Sequence, residues 1–99
     1  MKYQDVNKPK EIKAGQLRVW HIPQVPMNFS FNVYVNSIKE ARLILDTLAI
    51  YDLFQLEYRI KPDYSNASGL EVFEDNEWCE WHNEDGDDID EIIKGEENV

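Results

Sequence analysis

Hydrophobic spacing changes period at Ser37, and that change limits what the chain can fold into. Ahead of it, residues 29–35 alternate, with Phe29, Phe31, Val33 and Val35 on one side and Ser30, Asn32 and Tyr34 on the other. This is the pattern of a half-buried antiparallel strand. Behind it, Ser37 and Glu40 form a capping-box pair at a helix start. Ile38, Ala41, Ile44, Leu45 and Leu48 then recur at helical spacing, with Asp52 the one polar member of that side. A strand must therefore hand over directly to a helix that lies on the sheet.

The rest of the chain supplies partners for that strand. Residues 16–22 (QLRVWHI) are rich in branched and aromatic side chains and stop at Pro23; Pro23 and Pro26 bracket a turn, which makes a hairpin with residues 29–35. Residues 70–74 and 77–83 are two short runs around Asp75 and Asn76, which tolerate the left-handed backbone of a tight hairpin turn. Residues 59–69 carry Pro62, Ser65, Asn66, Ser68 and Gly69, a loop composition. Acids ahead of Ile89, Ile92 and Ile93 suit a brief terminal helix. The expected fold is α+β: a small antiparallel sheet of two hairpins in ββαββ order, one helix over residues 37–54 on one face, and a short C-terminal helical turn. Residues 1–15 read as a flexible arm or a late-added strand, 16–94 as a single domain and 95–99 as a frayed tail.

At 99 residues there is surface for one core only. An apolar fraction of 42% with 12% aromatics argues for folding rather than disorder. Cys79 alone makes no internal disulfide, no leader is visible, and no apolar run approaches the roughly 20 residues of a membrane helix, which points to a reducing cytoplasm and away from membranes.

Charge is distributed unevenly. Residues 71–99 hold thirteen of the 20 acids and a single base, Lys94, whereas residues 1–70 hold nine bases and seven acids. Such a field repels phosphate backbones and anionic membranes and attracts a basic protein surface. The bases Lys8, Lys10, Lys13 and Arg18 are too few to make direct nucleic-acid binding the expectation.

The candidate partner-binding residues are accordingly Glu74, Asp75, Glu77, Trp78, Glu80, Trp81, Glu84, Asp85, Asp87, Asp88, Asp90 and Glu91. The acids steer, and a tryptophan anchors. Period two sends Trp78, Glu80 and His82 to one face of a strand and Glu77, Cys79 and Trp81 to the other. Either one tryptophan is core and the other exposed among the acids, or both pack. A second helical stripe, Leu43, Ile50 and Phe54, points almost opposite the core side and is the candidate for self-association in a homodimer. The alternatives are that the helix ends near Tyr51, turning Leu53 and Phe54 inward, or that the tail covers the stripe.

Other chemistries fit poorly. With Gly86 in the glycine position of a calcium loop, the first ligand is Trp81 and the last Ile92, neither of which offers a carboxylate. One cysteine with His21 and His82 lacks zinc spacing, so neither metal nor cofactor is expected. Cys79 and His82 point apart on a strand, and Glu77 and Glu80 come without a phosphate cradle or pocket-forming loop, so no enzyme is expected. A different class of function, a sponge for a small signalling nucleotide, would use residues 61–69 with Trp20, His21, Arg59 and Tyr64.

Three strings, RVWHIPQVPM, EARLILDTLAIYDLFQLE and IKPDYSNASGLEVFEDNEWCEWHNEDGDDIDE, resemble a family of small acidic proteins of bacteriophages and prophages of Gram-positive bacteria, some labelled superinfection exclusion. The resemblance spans residues 18–91, and its best motifs are the Trp20–His21 pair, LDTLAIYDL at 45–53 and NASGLEVFE at 66–74. It supplies no catalytic residues. It implies a phage accessory protein that binds and blocks a host factor, such as a defence nuclease, with an acidic face that imitates the phosphates of DNA.

Overall fold

The computed structural model describes residues 3–24, 29–60 and 65–97, with side chains of the last segment described to Gly95. Its elements are β1 (Asp5–Val6), β2 (Leu17–Ile22), β3 (Phe31–Val35), α1 (Ile38–Glu57), β4 (Ala67–Glu74), β5 (Glu77–Glu80) and α2 (Ile89–Glu97). The strands form one sheet in the order β1-β3-β2-β4-β5. The fold is α+β, as the spacing predicts.

The two expected hairpins are present. β2 pairs antiparallel with β3, Val19 opposite Val33, and β4 pairs antiparallel with β5, Glu74 opposite Glu77. Between the latter, Asp75 and Asn76 adopt φ of 52° and 64°, which gives the two-residue turn the left-handed twist that matches strand twist. β2 and β4, antiparallel, join the hairpins.

The sheet departs from the purely antiparallel expectation at one edge. Asp5 and Val6, in the segment read as an arm, pair parallel with Asn32 and Val33. Asn32 explains the attachment: its N–H donates to the Gln4 carbonyl at 2.8 Å and its side-chain amide donates to Asp5 Oδ1 at 2.9 Å. A buried amide needs such partners, and these lie in the arm.

α1 begins as expected and ends later. Ser37 Oγ accepts from the Glu40 N–H at 3.1 Å, and Glu40 Oε1 accepts from the Asn36 N–H, one residue earlier than the usual reciprocal bond. The helix runs past Phe54 to Glu57. Arg59 then takes φ 60°, the Ile60 N–H reaches the Gln55 carbonyl and the Arg59 N–H reaches Leu56, a Schellman stop built without glycine. At the other end of the chain α2 is a nine-residue helix and extends into the segment read as a frayed tail.

Core packing uses one face of the sheet. Val19, Val33, Val35 and Leu70 meet Ala41 and Leu45 of α1, and Ile89 of α2 joins them. Each of these valine, leucine and isoleucine side chains contributes roughly 1.5–3 kcal/mol by leaving water. The molecule measures 41 × 41 × 21 Å, and its thin dimension is about that of one sheet layer and one helix layer. On the open face Trp78 packs edge-on against Tyr34 and Phe73, with ring centroids at 5.8 and 5.2 Å, and the Arg18 guanidinium stacks 4.0 Å from its ring. Glu71 holds that guanidinium at 2.8 Å. Trp20 lies over Gly69, where a Cβ would come within 2.7 Å of the indole nitrogen. The turn expected at Pro26 falls outside the described residues.

Candidate functional site

Three features could carry function, and each is placed by the elements above. The first is the acidic surface. Glu74, Asp75 and Glu77 crown the β4–β5 turn, and Glu80 ends β5; all are exposed. Beyond them Asn83 organises a second turn: its Oδ1 accepts from the N–H groups of Asp85 and Asp87, both at 2.9 Å, and Gly86 takes φ 83°. Asp88 then caps α2, its Oδ1 accepting from the Glu91 N–H at 2.9 Å. Glu84, Asp85, Asp90 and Glu91 are exposed, and Asp87 and Asp88 are half-buried. The acids thus stand on ordered backbone.

Part of this surface is concave. A cleft of about 320 Å³ is lined by Trp20, Gly69, Glu71, Glu80, Asp88 and Asp90, among others. Partial burial, and then the neighbouring Asp88 carboxylate, push the Asp90 carboxyl above its ordinary value, while Lys94 offsets this in part.

Neither candidate tryptophan stands free among the acids; both are packed, which is one of the two arrangements the sequence allows. Trp78 is half-buried in the open-face cluster, and Trp81, also half-buried, packs against the core on the helix face while its N–H donates to the Leu70 carbonyl at 3.0 Å. The indole the sequence reading did not assign to the acidic face, Trp20, is the one that lines the acidic cleft. The NASG segment gave the available signal, since the glycine opposite Trp20 leaves its ring room to lie flat on the sheet.

The second feature is the outer side of α1. Leu43, Ile50 and Phe54 are exposed, so the stripe is neither turned inward nor covered. Tyr51, Phe54 and Tyr58 form a ladder with ring centroids at 6.3 and 4.7 Å.

The third is buried. His21 Nε2 lies 2.9 Å from Asp52 Oδ2, their side chains 5% and 2% exposed, and the Asn66 amide donates to the same oxygen at 2.6 Å. His21 is thereby withdrawn from the nucleotide pocket imagined for it. Arg59 is exposed at the helix end, and Lys61 and Tyr64 lie outside the described residues.

Cys79 Sγ sits 3.9 Å from Glu77 Oε1, whereas His82 Nε2 is 3.8 Å from Glu80, so the two are not a pair. Partial burial and the carboxylates of Glu77, Glu74 and Asp75 push the Cys79 thiol up. Among the described residues, no group of three or more His, Cys, Asp or Glu side chains is arranged to hold a metal ion, and no helix is long and apolar enough to cross a membrane.

A small α+β protein with its distinctive chemistry on its surface is the class these features define. Residues 16–98 match the family model described as superinfection exclusion gene product 17. The chain is also 45% identical over 82 residues to the superinfection exclusion protein of Salmonella phage P22, a match covering 70% of this chain and 79% of that protein. No solved structure matches. The chain belongs to the superinfection exclusion gene product 17 family and stands among phage accessory proteins. The Gram-positive setting implied by the resemblance is not supported by a relative from a Salmonella phage, and acidity is a property of this chain rather than one shown for the family.

Proposed function

We propose that this protein acts in superinfection exclusion by binding, without catalysis, a basic surface on a protein of the host cytoplasm, and that residues 74–91 form the contact. The observation that carries this reading is the fixed backbone under the acids: the hairpin turn, the Asn83 turn and the Asp88 cap hold ten carboxylates in place with Lys94 the nearest base in sequence. An ordered anionic surface loses little conformational entropy on binding. A Lys or Arg side chain of the partner suits the cleft beside Trp20, where an indole and carboxylates together favour a cation. The narrower form of the proposal makes the target a DNA-handling defence protein whose groove accepts this surface in place of duplex phosphates.

The test is capture of host proteins on the immobilised full chain at roughly 50 and 500 mM salt, since screening weakens exposed ion contacts. Changing Glu84, Asp85, Asp87 and Asp88 together to their amides keeps the cap oxygen of Asp88 and removes four charges. Capture that falls with salt and with the amides, together with loss of exclusion in a plaque assay, supports the reading. Capture indifferent to both removes it. Competition by duplex DNA separates the DNA-mimic form from the broader one.

A further inference from the structure

A helix laid on a sheet needs one apolar side, and α1 has two. Ala41, Leu45 and Asp52 face the core, and on the opposite side Leu43, Ile50 and Phe54 are 66%, 65% and 48% exposed. We propose that this outer ridge pairs with the same ridge of a second copy, the two α1 helices running antiparallel about a two-fold axis between Thr47 and Ile50. The inference is independent of the acidic surface.

Spacing comes first. Leu43, Thr47, Ile50 and Phe54 follow one another at intervals of four, three and four, the repeat that keeps a seam facing a neighbouring helix. Rotation about the axis sets Leu43 against the partner's Phe54 and Thr47 against the partner's Ile50. Every apolar side chain of the seam then has a counterpart, as an isologous interface requires.

Area and charge select a second copy as the occupant. With the flanking aromatics the ridge offers on the order of 600 Å² per copy, so a pair buries about 1,200 Å², the lower limit of specific interfaces. An apolar ridge of this size lies at the upper end of what a monomer ordinarily leaves in water. Lys39 and Glu57 lie on the same flank of the ridge, at its two ends, because eighteen residues make five whole turns. Antiparallel pairing brings like flanks together in reverse order, so each Lys39 meets the partner's Glu57. Parallel pairing instead gathers both lysines at one end and both glutamates at the other, with no such complement. A bilayer is the poorer occupant, since a net charge of −10 opposes docking to anionic lipid.

Sedimentation equilibrium of the full chain tests this. The expected mass is twice the 11.7 kDa of one chain. Ile50→Glu, an outward substitution that leaves the circular dichroism unchanged, weakens association at least tenfold. Lys39→Glu and Glu57→Lys each weaken it by several-fold, and the two together restore it. A wild-type chain that stays monomeric at every concentration, or a dimer indifferent to Ile50→Glu, overturns the proposal. Failure of the charge-swapped pair to recover overturns the antiparallel arrangement.

Discussion

At the scale of single residues, Asp52 concentrates the most consequence in one side chain. It sits on the core face of α1 and accepts from both the His21 ring and the Asn66 amide, tying helix, β2 and the approach to β4 together. Asp52→Ala takes the acceptor from the buried His21 ring and the half-buried Asn66 amide and is expected to cost about 1–3 kcal/mol in urea unfolding. Adding His21→Leu recovers part of that loss, because the double variant no longer buries an unpaired ring; the coupling is read from a double-mutant cycle. The sequence placed Asp52 on the core side but could not name its partner, which is thirty-one residues away and visible only through the strand–helix crossing. Cys79 gives a prediction of a different kind. Its thiol is pushed up from the ordinary cysteine value by partial burial and then by neighbouring carboxylates, so at a given pH it holds less thiolate than an unperturbed cysteine. The rate of alkylation by iodoacetamide is therefore expected to reach its midpoint at a higher pH than for the cysteine of a short unstructured peptide; a midpoint at or below the peptide's contradicts the electrostatic account.

Among the elements, α1 shows where local rules succeed and where they stop. Its start was legible because Ser37 and Glu40 announce a cap. Its end was not, because helices usually close on glycine and this one closes on Arg59 at φ 60°. A side chain in that conformation costs roughly 1–2 kcal/mol, so Arg59→Gly is expected to stabilise the protein by about 1 kcal/mol, seen as a higher urea midpoint at unchanged slope. The β4–β5 turn was legible for the opposite reason: Asp75 and Asn76 are among the residues that enter the left-handed region most readily. β1 was obscure, since two residues carry no period. Only the amide of Asn32, buried and seeking partners, reveals why the arm docks where it does.

For the molecule as a whole, the acidic end and the core are one structure. Ile89 is 2% exposed within the main core, and Ile93 and Trp81 pack against it. A chain ended after Asn83 is therefore expected to lose about 3–5 kcal/mol of stability along with the charge, measured by thermal or urea unfolding. Loss of exclusion by such a truncation says little about the carboxylates, whereas amide substitutions isolate them. If the truncated chain unfolds at the same urea concentration as the full one, α2 is not a member of the core.

The order of the longer strands and helices, the turn at Asp75 and Asn76, the start of α1, and the concentration of charge toward one end were all set by local sequence, because each depends on spacing or on neighbours within a few residues. Contacts between distant segments decided the rest: the parallel edge strand, the burial of His21 on Asp52, the half-burial of Trp78 and Trp81, and the placing of Trp20 beside the acids. These depend on which faces meet once the sheet is assembled, and a hydrophobic pattern names the buried side of an element without naming what it is buried against.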